Sequence, residues 1–448
     1  MEAEVILVEA NQVHEIIARH MQSDVMDLVV DFDRSQGSRL CDARTGDFYL
    51  DFFGCFATLP VGYNHPRICS AQSMSELGRV GANKPSNSDL FSVEMAEFVS
   101  TFSQIAKPDY MKYLFFIEGG ALAVENALKV AFDWKVRKNF AKGASEEKGH
   151  QVIHFRQAFH GRSGYTLSLT NTSDPNKTQY YPKFDWPRVL NPKCTFPLEG
   201  ETLAEVQKDE EESLAQIRNA IAENPADIAC LILEPIQGEG GDNHFRPEFH
   251  RELRRICDNE EILLIYDEVQ TGLGSTGKMW AAEHFVRPDI IAFGKKSQVC
   301  GIMVSPRVDE IPDNVFHTPS RINSTWGGNL VDMVRSRIYL QVYEEENLVQ
   351  NSARLGERLQ QELRSLQDEF PELVSNVRGR GLFCALDLPD REWRNNFLKK
   401  LFAKRLIMLG CGNLSIRFRT ALNIPEQDLM EGVDIIRQTL AESVSGKR

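Results

Sequence analysis

Three apolar runs in this chain end in groups that can do chemistry. "ACLILEPIQGEGG" ends in Glu234, Gln237 and Glu239, "ILLIYDEVQ" ends in Asp267, Glu268 and Gln270, and "DIIAFGKK" ends in the adjacent Lys295 and Lys296. Polar residues are ordinary where a strand gives way to a loop, so any one exit alone reads as solvation. Two acidic exits and one basic exit together imply a shared crevice. A carboxylate facing a lysine there makes either a buried salt bridge or a Schiff-base site. A fourth feature offers a place for an anion. Gly119 and Gly120 follow the apolar "YLFFI", and Leu122, Ala127, Leu128, Ala131 and Phe132 then recur at helical spacing. Bare glycines leave the first N–H groups of a helix open, and the helix dipole favours negative charge at that end. A tight turn that needs glycine fits the same residues.

The elements that must position these groups are legible between about residues 110 and 300. "YLFFIE", "HQVIHF", "IACLILE", "ILLIYDE" and "DIIAFG" are short, apolar and rich in β-branched residues, and they alternate with amphipathic helices. That alternation predicts an α/β fold with a mostly parallel, doubly wound sheet, which binds ligands at the carboxyl ends of its strands. Residues 28–53 read as a small meandering sheet, and 196–225 as a solvated helix plus loop. "LVQNSARLGERLQQELRSLQDEF" reads as a long amphipathic helix, and "VRGRGLFCALDL" resumes strand character, giving a second α/β unit that packs with the N-terminal meander.

Composition excludes several classes. The 64 acidic and 51 basic residues are spread along all 448 positions, for a formal net charge of −13, so no basic face is expected for nucleic acid or an anionic membrane. The nine cysteines form no CxxC pair, which argues against a disulfide framework or a zinc ribbon and for reduced thiols in a cytoplasmic protein. The opening "MEAEVILVEANQVHEIIARHM" lacks a basic cluster and a long apolar run, so it is not read as a secretory signal, and no window reaches eighteen uninterrupted apolar residues. "GLGSTGKM", residues 272–279, matches a P-loop except at Met279, where a magnesium-binding hydroxyl belongs. It also follows a polar exit and not a strand.

A lysine, an opposing aspartate and an anion-binding helix start are together what pyridoxal phosphate needs: a carbonyl partner, a counter-charge for the ring nitrogen and a phosphate cradle. The sequence resembles the class III (ω-) aminotransferases of fold-type I. The pieces that carry the likeness are "GYNHP" (62–66), "AFHGRSG" (158–164), "EPIQGEGG" (234–241), "YDEVQTGLGSTGKMWAAEH" (266–284), "PDIIAFGK" (288–295), "STWGGN" (324–329) and "VRGRGL" (377–382). They stand in the family's order. "EGGALA" and "GKKSQVCG" depart from the common family pattern. Both departures, with "KPSNSD", "FHGRSGYTLSLTN" and "NSTWGGN", look like the branch that acts on the ε-amine of L-lysine.

The resemblance implies a large cofactor-binding domain over 71–335 and a smaller one from 1–70 and 336–448. It makes Lys295 the lysine that bonds the cofactor, with Lys296 directed elsewhere, and Asp267 the partner of the ring nitrogen. Gln270 would meet the ring hydroxyl, Val269 and Phe159 would flank the ring, and Gly120 and Ala121 would hold the phosphate. Thr325 would reach the phosphate from a neighbouring subunit, so a homodimer with shared active sites is expected. Arg417 would take the α-carboxylate of 2-oxoglutarate and Arg162 the far carboxylate of either substrate, as arginine forks do. Glu239 would pair with Arg417 when lysine is bound and swing aside for the keto acid, and Asn323 would line the pocket. Arg419 and Arg378 read as surface or structural charges. No metal is implied. The expected reaction transfers the ε-amino group of L-lysine to 2-oxoglutarate, giving L-2-aminoadipate 6-semialdehyde, which cyclises to piperideine-6-carboxylate, and L-glutamate. 4-Aminobutyrate and ornithine are the competing substrates.

Overall fold

The computed structural model describes residues 7–21 and 25–445. The first six residues of the opening stretch read above therefore lie outside the described residues. Three short strands, β1 (Val30–Gln36), β2 (Arg39–Asp42) and β3 (Phe48–Asp51), form an antiparallel meander. The large sheet follows, built from β4 (Tyr113–Ile117), β5 (Gln151–Phe155), β6 (Arg188–Val189), β7 (Ile228–Leu233), β8 (Leu263–Asp267), β9 (Ile290–Phe293) and β10 (Cys300–Val304). Its spatial order is β4-β10-β9-β8-β7-β5-β6. The strands from β9 to β6 pair in parallel, and β10 alone runs against its neighbours β4 and β9. All five strands predicted from the sequence are present. Their carboxyl ends share one edge, because six of the seven strands point the same way.

Every residue of β7, β8 and β9 is buried, as a parallel sheet covered on both faces requires. Alternation then divides them between two cores. Cys230, Ile232, Leu263, Ile265, Ile290 and Ala292 meet the helix Gly120–Ala141 through Ala123, Val124, Ala127, Leu128 and Trp134. Leu231, Leu233, Leu264, Tyr266, Ile291 and Phe293 belong to the other core, with Phe98, Phe102 and Leu253. Leu122, first of the helical apolar set, is 40% exposed, because it sits in the opening turn beyond the sheet edge. The charged stretch near 200 forms the helix Gly200–Glu223, and the later amphipathic run forms the helix Leu348–Glu369.

The C-terminal part adds β11 (Ser375–Arg380), β12 (Phe383–Asp387), β13 (Leu406–Ile407), β14 (Leu409–Cys411) and β15 (Ser415–Phe418). β11, β12, β15 and β14 make an antiparallel sheet of their own, while β13 joins the N-terminal meander by pairing in parallel with β3. The two chain ends are thus tied into one unit. Among the described residues, no helix is long and apolar enough to cross a membrane.

Candidate active site

The two lysines after β9 part company at once. Lys295 has a left-handed φ of +53° and opens a short 3-10 turn over Lys295–Ser297. Lys296 is buried, and its Nζ donates to the Ala57 carbonyl at 3.1 Å. Among the described residues no hydrogen bond reaches the Nζ of Lys295. Burial lowers the Lys295 pKa, opposed first by the nearby Asp267 carboxylate, with Glu234 acting in the same sense and Arg417 and Arg419 against it. A half-buried amine that desolvation holds towards its neutral form is a competent nucleophile and base.

Asp267, the last residue of β8, is 5% exposed. Its Oδ1 accepts from the Val269 N–H at 3.0 Å, and its Oδ2 lies 2.7 Å from His160 Nδ1. Only a proton on Nδ1 makes the latter a hydrogen bond, so His160 donates to the carboxylate. Its Nε2 is buried without a partner among the described residues. The backbone N–H of His160 donates to Thr170 Oγ1 at 3.0 Å, which fixes the ring's approach. Glu234, at the exit of β7, accepts the N–H groups of Phe159 and Gly238, each at 2.9 Å. Burial pushes its pKa up to about 7, with the charge of Asp267 adding to the rise. The sequence reading gave Glu234 no role and passed over His160. The exit of β5 is a fourth strand end, and the same rule applied there would have found this histidine.

The helix Gly120–Ala141 begins with no side chain capping it, after Gly119 at φ +93°, a conformation glycine adopts without strain. A Cβ at Gly120 would come within 2.9 Å of Val269, so only glycine lets the helix start approach the end of β8 this closely. Phe159 and Val269 are half-buried and not core residues. Asn323 and Thr325 are exposed. The Asn323 side chain accepts the Ser324 N–H at 2.8 Å, and the Thr325 carbonyl accepts the Ser86 and Ser88 hydroxyls. Neither is hydrogen-bonded to the lysine–aspartate cluster of its own chain. Lys84 ties their loop to the helix start: its Nζ lies 3.7 Å from the Trp326 ring centre and 3.5 Å from Glu118.

Arg417 and Arg419, two residues apart at the end of β15, are both buried. Arg419 is fully engaged. It pairs with buried Asp242, donates to Gln270 Oε1 at 2.9 and 2.8 Å, and stacks 3.5 Å over the Phe383 ring. Arg378 is equally enclosed, donating to the Gly241 and Asp242 carbonyls, Asp387 and Ser415. Of the alternatives read from the sequence for these two arginines, the structural one holds and the surface one does not. Arg417 has far less. It reaches Gln270 Oε1 only at 3.4 Å, faces the Phe56 ring at 5.9 Å, and leaves Nε buried without a partner. The Gln270 carbonyl is therefore occupied by arginine, which leaves its amide NH₂ to donate elsewhere. Glu239, expected beside Arg417, pairs with Lys177 at 2.8 Å and accepts the Thr172 hydroxyl at 2.8 Å. Lys177 was not anticipated, since it lies in a loop with no periodicity to mark it. Arg162 is exposed, with no hydrogen-bond partner among the described residues.

Phe56 is carried by an unusual turn. Gly54, Cys55, Phe56 and Ala57 have φ of +52°, +51°, +59° and +69°, a left-handed turn that costs roughly 1–2 kcal/mol per non-glycine residue. Asp51 braces it by accepting the Phe53 and Gly54 N–H groups at 2.7 and 2.8 Å and the Tyr63 hydroxyl at 3.0 Å, and Lys296 holds its far end. The P-loop-like stretch 272–279 is a packed turn. A Cβ at Gly277 would lie 3.0 Å from Ala353, and the nearby Glu268 carboxylate accepts the Ala281 and Ala282 N–H groups. A surface cavity of about 580 Å³, lined by Lys129, Asp133, Arg137, His150 and Arg321, lies on the outer side of the helix Gly120–Ala141 and contains none of the strand-end groups.

The strand-end set fits a phosphate-bearing aldehyde with a basic ring nitrogen. Among the described residues it presents one unpartnered, half-buried amine, one carboxylate locked by a histidine, and one uncapped helix start. A family model for class-III aminotransferases matches residues 20–440. An L-lysine-epsilon aminotransferase of Mycobacterium tuberculosis is 49% identical over 96% of this chain and 95% of its own. Human mitochondrial 4-aminobutyrate aminotransferase is 31% identical over 92% and 84%. Among solved structures, lysine aminotransferase from M. tuberculosis in the internal aldimine form superposes with a TM-score of 0.94 at 48% identity, covering 97% of this chain and 99% of that one.

Proposed function

The chain belongs to the class-III aminotransferases, and from that premise we propose that it transfers the ε-amino group of L-lysine to 2-oxoglutarate. The products are L-2-aminoadipate 6-semialdehyde, which closes to piperideine-6-carboxylate, and L-glutamate. The observation that carries the chemistry is Lys295, a half-buried amine beside a carboxylate, with no hydrogen bond to its Nζ among the described residues. The likeness to lysine aminotransferases carries the substrate. The cofactor is pyridoxal phosphate, which when bound supplies an aldehyde carbon and a ring that withdraws electrons from the carbon bearing the amine.

In this reading the backbone N–H groups of Gly120 and Ala121 bind the phosphate, and Phe159 and Val269 hold the ring between them. Asp267 keeps a negative charge opposite the ring nitrogen, and His160 fixes that carboxylate's orientation. The Gln270 amide donates to the ring hydroxyl. Lys295 Nζ takes the proton from the ε-carbon of L-lysine and returns one in the second half of the cycle, the task its burial suits. Arg162 receives the far carboxylate of either substrate, and Arg417 the α-carboxylate of 2-oxoglutarate. The division into a large domain (71–335) and a small one (1–70 and 336–448) puts Arg417 on the small side and Lys295 on the large side of one crevice.

We further infer a homodimer, in which a second copy brings Thr325 and Asn323 to the anion cradle. Exposed Phe56, Leu90, Phe91, Leu122 and Trp326 support this, since monomers rarely leave so much apolar surface in water. A cytoplasmic setting suits the nine free cysteines. The reading is tested by supplying purified holoenzyme with 2-oxoglutarate and L-lysine, L-ornithine or 4-aminobutyrate in turn. Glutamate is measured, and the cyclic imine is trapped with o-aminobenzaldehyde. L-Lysine should give both products at the highest kcat/KM. Turnover of 4-aminobutyrate with none of L-lysine would overturn the substrate assignment.

A further inference from the structure

Arg417 is a buried guanidinium with no anionic hydrogen-bond partner among the described residues, although the charges of two carboxylates, Asp242 and then Glu239, act on it. Asp242 is taken by Arg419, and Glu239 is held elsewhere. Its Oε1 is shared by Lys177 Nζ and the Thr172 hydroxyl, each at 2.8 Å, and its backbone carbonyl is anchored by the Gly412 N–H at 2.8 Å. The side chain can therefore turn while its Cα stays in place. Lys177 also lies 6.0 Å from the centre of the Phe159 ring, so the Lys177 ammonium belongs to the rim of the same crevice. Unlike Arg417, Lys177 and Glu239 are both partly open to solvent, which makes their pair cheap to break.

We propose that Lys177, with Thr172, is the second docking point of Glu239 and sets which substrate the site accepts. While Lys177 holds Glu239, Arg417 is free to take a carboxylate from a dicarboxylic acid. When Glu239 leaves Lys177 for Arg417, that charge is cancelled and an uncharged or amine-bearing chain is tolerated instead. Lys177 acts through Glu239 and touches no reacting atom, so it is a specificity-determining positioning residue. The inference rests on the dicarboxylate half of the function proposed above.

The test uses glutarate, a dicarboxylate with no carbonyl to react, titrated calorimetrically into the holoenzyme, alongside rapid-mixing spectra of the L-lysine half-reaction. In Lys177→Met, glutarate should bind about five-fold more weakly, near the ceiling for a partly exposed ion pair. The apparent affinity for L-lysine should stay level or rise. Thr172→Val should do the same to a smaller extent. Adding Lys177→Met to Glu239→Ala should change glutarate binding no further, because the lysine then has nothing to hold. Equal weakening of both ligands in Lys177→Met, or undiminished glutarate binding, would overturn the proposal. So would wild-type holoenzyme that binds no glutarate, which would also remove the dicarboxylate half of the functional reading. Failure of L-lysine to react while Lys177→Met still weakens glutarate would sink only the amine assignment and leave Lys177's role supported.

Discussion

The lysine pair after β9 and the arginine pair of β15 are divided in the same way, with one member tied to structure and its neighbour left open. Among the described residues, Lys296 holds the Ala57 carbonyl while no hydrogen bond reaches Lys295 Nζ, and Arg419 holds Asp242 and Gln270 while Arg417 has one long hydrogen bond. The means differ. Adjacent lysines are parted by direction, because a left-handed residue and a tight turn send their side chains different ways. The arginines, one in β15 and one just past its end, both reach Gln270 Oε1 and are parted by what waits for them. Asp242 stands at one, and among the described residues nothing anionic is hydrogen-bonded to the other. A site can thus keep a basic side chain unengaged either by geometry or by withholding a partner.

The sharpest way to break the lysine half is to exchange roles. Lys295→Ala should lower turnover by about three orders of magnitude or more, the scale expected when a covalent nucleophile and base is lost. Lys296→Met should stay within about ten-fold of wild type. Steady-state kinetics on both variants decides it, and equal losses would erase the distinction. For the arginines the first contrast is stability. Arg419→Met strands Asp242 as a buried lone charge, which should cost about 3–5 kcal/mol in urea unfolding. Arg417→Met removes a desolvated cation that lacks a partner and should unfold at or above the wild-type midpoint. The second contrast is binding: Arg417→Met should raise the KM for 2-oxoglutarate about 10- to 100-fold, the worth of a charge-assisted hydrogen bond. An Arg419-like loss of stability in Arg417→Met would show that both arginines are structural.

A smaller test compares these buried cations with a buried group that stays neutral. His250, packed against Phe285 and hydrogen-bonded to the Tyr266 hydroxyl at 2.6 Å, is pushed by burial from 6.5 down to about 3. Between those values the unfolded chain binds a proton that the folded one refuses. Its contribution to stability is therefore complete above pH 6.5 and is lost as pH falls towards 3. From pH 6.5 to 5 that amounts to about 2 kcal/mol. A His250→Asn variant should show an acid decline shallower by that amount, read from urea midpoints at the two pH values.

What could be read from the sequence follows from where periodicity exists. β7, β8 and β9 announce themselves as apolar runs, so their exits, Asp267 and Lys295 among them, are legible in the sequence. The helix start at Gly120 was legible for the same reason, a glycine pair breaking one period before another began. Lys177 ends a three-residue 3-10 turn, and its place depends on Glu239, 62 residues away, which no local pattern encodes; His160, whose partner Asp267 lies 107 residues away, was reachable only by following the exit of β5. Asp242 was invisible because a single acid in a glycine-rich loop looks solvated until Arg419 is seen beside it.

The left-handed turn at Gly54–Ala57 has a consequence in time. It lies near the start of the chain, yet its ties beyond Asp51 and the neighbouring residues Phe53 to Tyr63 are made much later. Lys296 is 239 residues downstream, β13 must pair with β3, and the Arg419 N–H must reach the Phe52 carbonyl at 2.9 Å. A chain still emerging from the ribosome can build the large sheet and set Lys295 at its edge, but it has only local bonds to keep Cys55, Phe56 and Ala57 in a handedness they disfavour. The turn, and the Phe56 surface it gives to Arg417, can settle only once the final strands exist. The reactive end of the crevice is therefore finished before the end that selects its substrates, and a chain ending before β15 would have the first without the second.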